Sequence, residues 1–276
     1  MRPRSAARLL PVLTAMAAAA LLAGCGTDSP GEPVPLPSPD SGFDYQLGGA
    51  YPPPEGVTTV ERDRTAEPAG LGYDICYVNG FQTQPGESDG FAREHPELLL
   101  QRGGEPLRDA GWPDEFVFNT STAQKRQALA QIVGEWIVSC KASGFDAVEI
   151  DNLDSYTRSD GMLGERDNIE LAIEYARIAH GAGLAIAQKN AAELAPELQE
   201  AGYDFAVAES CYRFSECESY TSAYPVVLDI EYDDELGETR FVEACRDPGR
   251  PSAMILRDHD LVPPTDAAHR YRSCET

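Results

Sequence analysis

Two periodicities of apolar and polar residues run along the chain. Alternation with a period of two marks strands over 43–48, 57–61, 73–78, 115–118, 147–151, 184–190, 204–209, 226–231 and 253–256. Helical spacing marks 125–141, where Leu129, Ile132, Val133, Trp136, Ile137 and Cys140 share one face. It recurs over 168–182 with Ile169, Ala172, Ile173, Ala176 and Ala179, and shorter helices are expected over 191–201 and 239–246. Strand and helix alternate through the second half, which argues for a parallel sheet with helices outside it. The about 235 residues from position 42 onward suit one α/β domain closed as a (β/α)8 TIM-type barrel. Nine strands are one more than such a barrel uses, so the first or the last is expected to be accessory.

Strand parity then sorts the polar residues. On 147–151, Ala147, Glu149 and Asp151 share one face, while Val148 and Ile150 share the other. The apolar face suits packing on outer helices. The acidic face would point into the barrel, where a carboxylate is costly unless it is paired or used. An Asx-rich turn accounts for Asn152 and Asp154 but not for Glu149 and Asp151. Other strands also end in polar groups: Lys189 with Asn190, Glu209 with Tyr212, and Glu231 with Tyr232. In a parallel barrel these C-terminal ends converge on one mouth. Lys189 shares the inward parity of Ala185 and Ala187, which favours an ion pair there over a solvated lysine. Glu209 shares parity with Phe205 and Val207, so a bulge is expected if the small Ala206 and Ala208 line the barrel. Tyr45, Tyr77, Tyr156, Tyr212 and Tyr232 are rim or core aromatics.

The N-terminal 25 residues read as an export leader, with Arg2, Arg4 and Arg8 ahead of an apolar run that closes on Leu22-Ala23-Gly24-Cys25. This ending resembles a bacterial lipobox, which implies lipidation of Cys25 and a domain held outside the cell at the membrane. Residues 26–41 carry five prolines and read as a stiff tether. The six cysteines after Cys25 are an even number, expected as disulfides in an oxidising compartment. Of the fifteen possible pairings, the expected one joins Cys211 with Cys217, Cys245 with Cys274 and, by elimination, Cys76 with Cys140. A zinc site is the weaker alternative, because none of the four histidines has ligand spacing to a cysteine pair. The net charge is −24, or −27 once the three leader arginines are removed, which makes nucleic acid a poor partner. Such charge serves solubility, or it serves a cationic ligand. A monomer is expected.

The motifs together resemble glycoside hydrolase family 114, the endo-α-1,4-polygalactosaminidases. The similar segments are Phe43-Asp44-Tyr45-Gln46-Leu47-Gly48-Gly49, Asp74-Ile75-Cys76-Tyr77-Val78, the run from Ala147 to Tyr156, Ala187-Gln188-Lys189-Asn190, the run from Asp204 to Cys211, and Asp229-Ile230-Glu231-Tyr232. The resemblance implies a TIM-type barrel and endo-cleavage of an α-1,4-linked galactosamine polymer, with Asp151 and Glu209 as its two carboxyl groups. Two carboxyls are what glycoside cleavage needs, one to protonate the leaving oxygen and one to attack carbon or activate water. Asp151 is expected as nucleophile and Glu209 as acid/base. Gln46, Tyr77, Glu149, Asn152, Asp154, Tyr156, Lys189, Asn190, Tyr212, Glu231 and Tyr232 are expected to bind substrate, with Glu149, Asp154 and Glu231 as partners for its ammonium groups. No metal or organic cofactor is expected. Asn79-Gly80-Phe81 and Glu61-Arg62-Asp63-Arg64 depart from the family pattern and touch the subsites. A non-catalytic glycan-binding lipoprotein and a glycosidase for a neutral α-linked polysaccharide are the alternatives.

Overall fold

The computed structural model describes residues 34–274. The leader with Cys25 and the tether as far as residue 33 lie outside the described residues. Eight strands run parallel, each bonded to the next: β1 (Gly42–Tyr45), β2 (Val57–Asp63), β3 (Tyr73–Asn79), β4 (Ala147–Asp151), β5 (Ala185–Lys189), β6 (Phe205–Glu209), β7 (Val227–Tyr232) and β8 (Ala253–Arg257). A ninth, β9 (Tyr271–Ser273), lies antiparallel on β8. Parallel neighbours need long crossovers, and these hold α1 (Ser88–Glu94), α2 (Ala123–Ser143), α3 (Glu165–Gly181), α4 (Ala195–Glu200), α5 (Cys211–Phe214), α6 (Cys217–Ala223) and α7 (Glu238–Ala244). Among the described residues no helix is long and apolar enough to cross a membrane.

Helix α2 illustrates how sequence sets an element. The Thr122 hydroxyl accepts the Lys125 N–H at 3.3 Å to start it, and Gly144, at φ 102°, ends it in the left-handed region that favours glycine. The face predicted from its spacing buries Leu129, Val133, Ile137 and Cys140.

The buried apolar residues fall into two main shells, which settle strand parity. Phe43, Tyr45, Ile75, Ala147, Ala185, Ala187, Phe205, Val207, Leu228 and Ile230 fill the interior. Val148, Ile150, Ile186, Ala206, Ala208 and Val227 pack outward with the helices. The parity expected for β4 and β5 is the one observed. On β6 the large residues point inward, not the alanines, and the register with β5 and β7 is unbroken. Alanines from β4 and β5 leave the room that Phe205 needs, so Glu209 reaches the mouth without a bulge.

The strand expected to be accessory is also different. Both the first and the last candidates belong to the barrel. The segment 115–118 instead makes isolated antiparallel bridges, Val117 to Gln82, Phe118 to Leu99 and Phe116 to Arg108, inside the excursion between β3 and α2. Its alternation reflects burial against that excursion, not membership of the sheet.

The barrel is near-closed, since β8 and β1 share no ladder among the described residues. Buried polar groups bridge that seam. Arg257, with no exposed surface, donates to the Asp44 carboxylate at 3.1 Å and to the Tyr45 carbonyl. Gln46 donates to Asp44 at 2.8 Å and accepts from Arg62 at 2.9 Å, and Tyr271 of β9 donates to the Phe43 carbonyl at 2.8 Å. Three disulfides, Cys76–Cys140, Cys211–Cys217 and Cys245–Cys274, match the expected pairing. The first ties β3 to the last turns of α2.

Candidate active site

The C-terminal strand ends converge on Lys189, whose side chain is 2% exposed. Its Nζ donates to the Tyr45 hydroxyl at 2.8 Å and lies 3.3 Å from Glu149, 3.3 Å from Glu209 and 3.8 Å from Asp151. One ammonium therefore spans three carboxylates from two strands, Glu149 and Asp151 of β4 and Glu209 of β6. Burial alone would discharge it, but those carboxylates outweigh burial and hold its pKa above the usual lysine value. Because Asp151 and Glu209 share this cation, their nearest oxygens are at most about 7 Å apart, within the range of paired glycosidase carboxyls.

Each carboxylate has its own positioning contacts. Tyr77 donates to Asp151 at 2.7 Å, and the Asn152 N–H donates to it at 2.7 Å. Glu209 accepts from Asn190 at 2.9 Å and from the Tyr232 hydroxyl, and Asn190 in turn accepts the Glu209 N–H at 2.8 Å. Burial works against the charge of Glu209, yet Lys189 and the bonds from Tyr232 and Asn190 together bring it below the ordinary carboxylate value. His259 stacks on Tyr232 with ring centroids 4.4 Å apart.

The backbone turns sharply just after each of these strand ends. Asn152, Asn190 and Ser210 have φ of 64°, 50° and 59°, directly after Asp151, Lys189 and Glu209, and Ala191 follows at 58°. Asparagine tolerates this region, whereas serine and alanine adopt it at a cost of about 1–3 kcal/mol each. The strain sits directly after the three strand-end residues Asp151, Lys189 and Glu209.

Below Lys189 lies a second layer. Glu61 and Glu149 are both fully buried. As carboxylates, Glu61 would have no donor to either oxygen and Glu149 none to Oε2. A proton on Glu61, donated to Glu149, resolves this. Burial and then repulsion from Glu149 push Glu61 well above the ordinary range, and burial takes Glu149 up to about 7 even with Lys189 pulling it down. Strands β2 and β4 thus repeat one pattern: a glutamate in the floor and, two residues on, Asp63 or Asp151 at the mouth.

The mouth is a cavity of about 550 Å³. Of the residues expected there, Tyr77, Asp151, Asn152, Lys189, Asn190, Glu209 and Tyr232 line it. The others lie elsewhere. Gln46 is in the β1 seam and Glu149 is in the floor beneath Lys189. Asp154 pairs with Arg158 at 2.9 Å, and Tyr156 lies outside the cavity lining with its hydroxyl toward Glu193 and Glu165. Glu231 has the parity opposite to Tyr232 and points outward, where its carboxylate accepts the N–H groups of Tyr212 and Arg213 at 2.8 and 3.2 Å. Tyr212 donates to Asp247. Glu149, Asp154 and Glu231 therefore do not present carboxylates to a ligand. Asp63, Glu115, Glu235 and Asp260 line the cavity instead, alongside Trp112, Phe214 and His259, with Asp63 accepting from Thr65 and Gln84 and Glu235 from Ser210. All except Asp63 come from loops or a short helix beyond the barrel strands. The Glu61-Arg62-Asp63 parity alone was enough to find Asp63.

One grouping among the described residues could be read as metal-ligating, Cys211, Cys217 and Asp229. Its two sulfurs are bonded to each other, so no thiolate is available.

A paired-carboxyl mouth at the strand ends of a parallel barrel fits glycoside chemistry, and the family model for glycoside hydrolase family GH114 matches residues 27–276. The chain belongs to family GH114. It is a glycoside hydrolase. Among solved structures it is similar to Aspergillus fumigatus Ega3, crystallised in complex with galactosamine, at 22% identity and a TM-score of 0.69, covering 86% of this chain and 96% of that one. It is also similar to the glycoside hydrolase domain of PelA from Pseudomonas aeruginosa, at 14% identity and a TM-score of 0.55, covering 80% and 96%. Both likenesses bear on the fold. No curated protein matches the chain.

Proposed function

We propose that this GH114 enzyme cleaves α-1,4-linked galactosamine polysaccharide internally, with Asp151 as nucleophile and Glu209 as acid/base. The observation that carries the reading is the placement of these two carboxyls, on separate strands, in one acidic cavity whose lysine is already engaged by protein carboxylates. Asp63, Glu115, Glu235 and Asp260 give that cavity surplus negative charge, which suits a polymer bearing ammonium groups. The crystallisation of Ega3 with galactosamine supports the same sugar here.

In the first step Glu209 gives its proton to the leaving glycosidic oxygen as the bond to the anomeric carbon breaks, and Asp151 bonds that carbon. In the second, Glu209 takes a proton from water, the water oxygen attacks the carbon, and Asp151 departs as carboxylate. The Tyr77 hydroxyl and the Lys189 ammonium hold the Asp151 carboxylate in position. Lys189, Tyr232 and Asn190 hold the Glu209 pKa low, so the first step requires Glu209 to take up a proton from solvent as the sugar binds, a change that exclusion of water by the sugar favours.

The leader reading adds a lipid anchor at Cys25, a tether over 26–41 and one catalytic domain over 42–276, acting as a monomer outside the cell. The substrate test is incubation with galactosaminan of graded acetylation and mass spectrometry of the products. Internal oligosaccharides of galactosamine are expected. Release from a neutral α-linked glucan with none from galactosaminan would overturn the substrate.

A further inference from the structure

One turn in the excursion between β3 and α2 sets two unlike groups at the mouth. The Glu115 N–H donates to the Trp112 carbonyl at 2.9 Å, closing Trp112-Pro113-Asp114-Glu115, with the proline at the position where its fixed φ favours a turn. Trp112 is 60% exposed and Glu115 only 5%, yet both line the cavity.

The Glu115 carboxyl is rigidly held on one side. Asn79 donates to its Oε2 at 2.8 Å, and Asn79 is itself fixed through its own oxygen by Asn152 at 3.0 Å and the Gln82 N–H at 3.1 Å. That chain of bonds ties Glu115 to the residue directly after Asp151. A purely structural role as acceptor for Asn79 accounts for Oε2 alone; among the described residues Oε1 has no donor.

Among the described residues no cation forms an ion pair with the group. Lys189 is engaged by Tyr45, Glu149, Glu209 and Asp151. The Arg158 guanidinium is spent on Asp109 at 2.7 Å, Asp154 at 2.9 Å and Asn152 at 2.8 Å. Burial, with Asp151 and Asp109 adding repulsion and Asn79 and Arg158 opposing it, takes the Glu115 carboxyl up to about 7. Near neutrality it is thus ready to ionise against an incoming positive charge.

We propose that Trp112 and Glu115 form a specificity pocket for the sugar unit beside Asp151, the indole stacking on the ring and the Glu115 carboxylate taking the ammonium of an unacetylated unit. This rests on the galactosamine-polymer reading. A free amine gains a charge-assisted hydrogen bond in this pocket. An acetylated nitrogen brings no charge and leaves the buried carboxyl unpartnered.

The test compares kcat/KM for deacetylated and fully acetylated galactosaminan in the wild type and three variants. Glu115→Gln, which can still accept from Asn79, should lower the deacetylated-to-acetylated ratio about tenfold or more, as the loss of a hydrogen bond to a charged group predicts. Asp114→Asn removes the same charge one residue away, on the exposed side of the turn, and should keep the wild-type ratio. Trp112→Ala should lower both kcat/KM values about five- to tenfold with little change in the ratio. An unchanged ratio in Glu115→Gln, in a wild type that cuts both polymers, overturns the pocket and leaves the substrate reading intact. An equal fall in Asp114→Asn also overturns it, since the effect would then be general charge. A wild type that cuts neither polymer overturns both.

Discussion

Replacing Lys189 with methionine keeps length and apolar volume while deleting the charge that Glu149, Asp151 and Glu209 share. Breaking a buried ion pair on one side costs about 3–5 kcal/mol, and here the carboxylates left behind lie within 3.8 Å of the missing cation. For a domain of this size each kcal/mol moves Tm by about 2–4 °C, so Lys189→Met should melt about 6–20 °C below wild type at pH 8. The pH dependence follows from the signs. The Glu209 pKa lies below the ordinary carboxylate value, so its contribution is present above that range and fades as pH falls through the folded value. The Lys189 pKa is raised, so its own contribution is complete through acid and neutral pH and fades only in strong alkali. Glu149, already up to about 7, moves higher once Lys189 is gone and becomes a liability that grows with pH. The Tm gap between variant and wild type should therefore be large at pH 8 and shrink toward about pH 4, where carboxyls take up protons and no longer need the ammonium. Circular-dichroism melts across that range measure it. A gap that is absent, or equal at both ends, would refute the shared-charge reasoning.

Three further outcomes follow from the same structure. Glu61→Gln places a permanent donor against Glu149; because the Glu61 pKa is raised, its cost grows as pH climbs above the ordinary carboxyl range, so the variant should melt higher than wild type at pH 8 and converge with it near pH 5, and a lower Tm at pH 8 would contradict the shared proton. Titration of unfolded, unreduced protein should find no free thiol beyond Cys25, and replacing both Cys76 and Cys140 by alanine should cost about 4 kcal/mol in denaturant melts, from the 64-residue loop the bond closes. Added salt should raise KM for deacetylated polymer much more than for acetylated polymer, since the Debye length shortens to about 10 Å at 0.1 M; equal salt responses would assign the negative charge to solubility alone.

The barrel was legible because its strands alternate and the long helices α2 and α3 each carry one apolar face, so the sequence alone oriented β4 and β5. Alternation reports burial and not pairing partner, which is why 115–118 looked like a barrel strand. It is also why β9 was missed: Tyr271-Arg272-Ser273 is short and mostly exposed, with no apolar pattern to read. On β6 the size of the inward residues depended on alanines contributed by neighbouring strands, which local sequence does not encode. Asp151, Lys189 and Glu209 could be picked out because a strand end fixes direction. Glu231 was misplaced although parity already set it opposite Tyr232. Trp112, Glu115, Glu235 and Asp260 reach the mouth from loops, where spacing carries no direction.

We propose Asp151 and Glu209 as the two carboxyl groups of one hydrolytic site. This assignment is tested most directly by the rate at which wild type, Asp151→Asn and Glu209→Gln release oligosaccharides from deacetylated galactosaminan, read by mass spectrometry on proteins with matched circular-dichroism melts. Each substitution conserves shape and removes one half of a two-carboxyl reaction, so a loss of about a thousandfold or more in kcat is expected from either. Wild-type release by either folded variant would contradict the assignment.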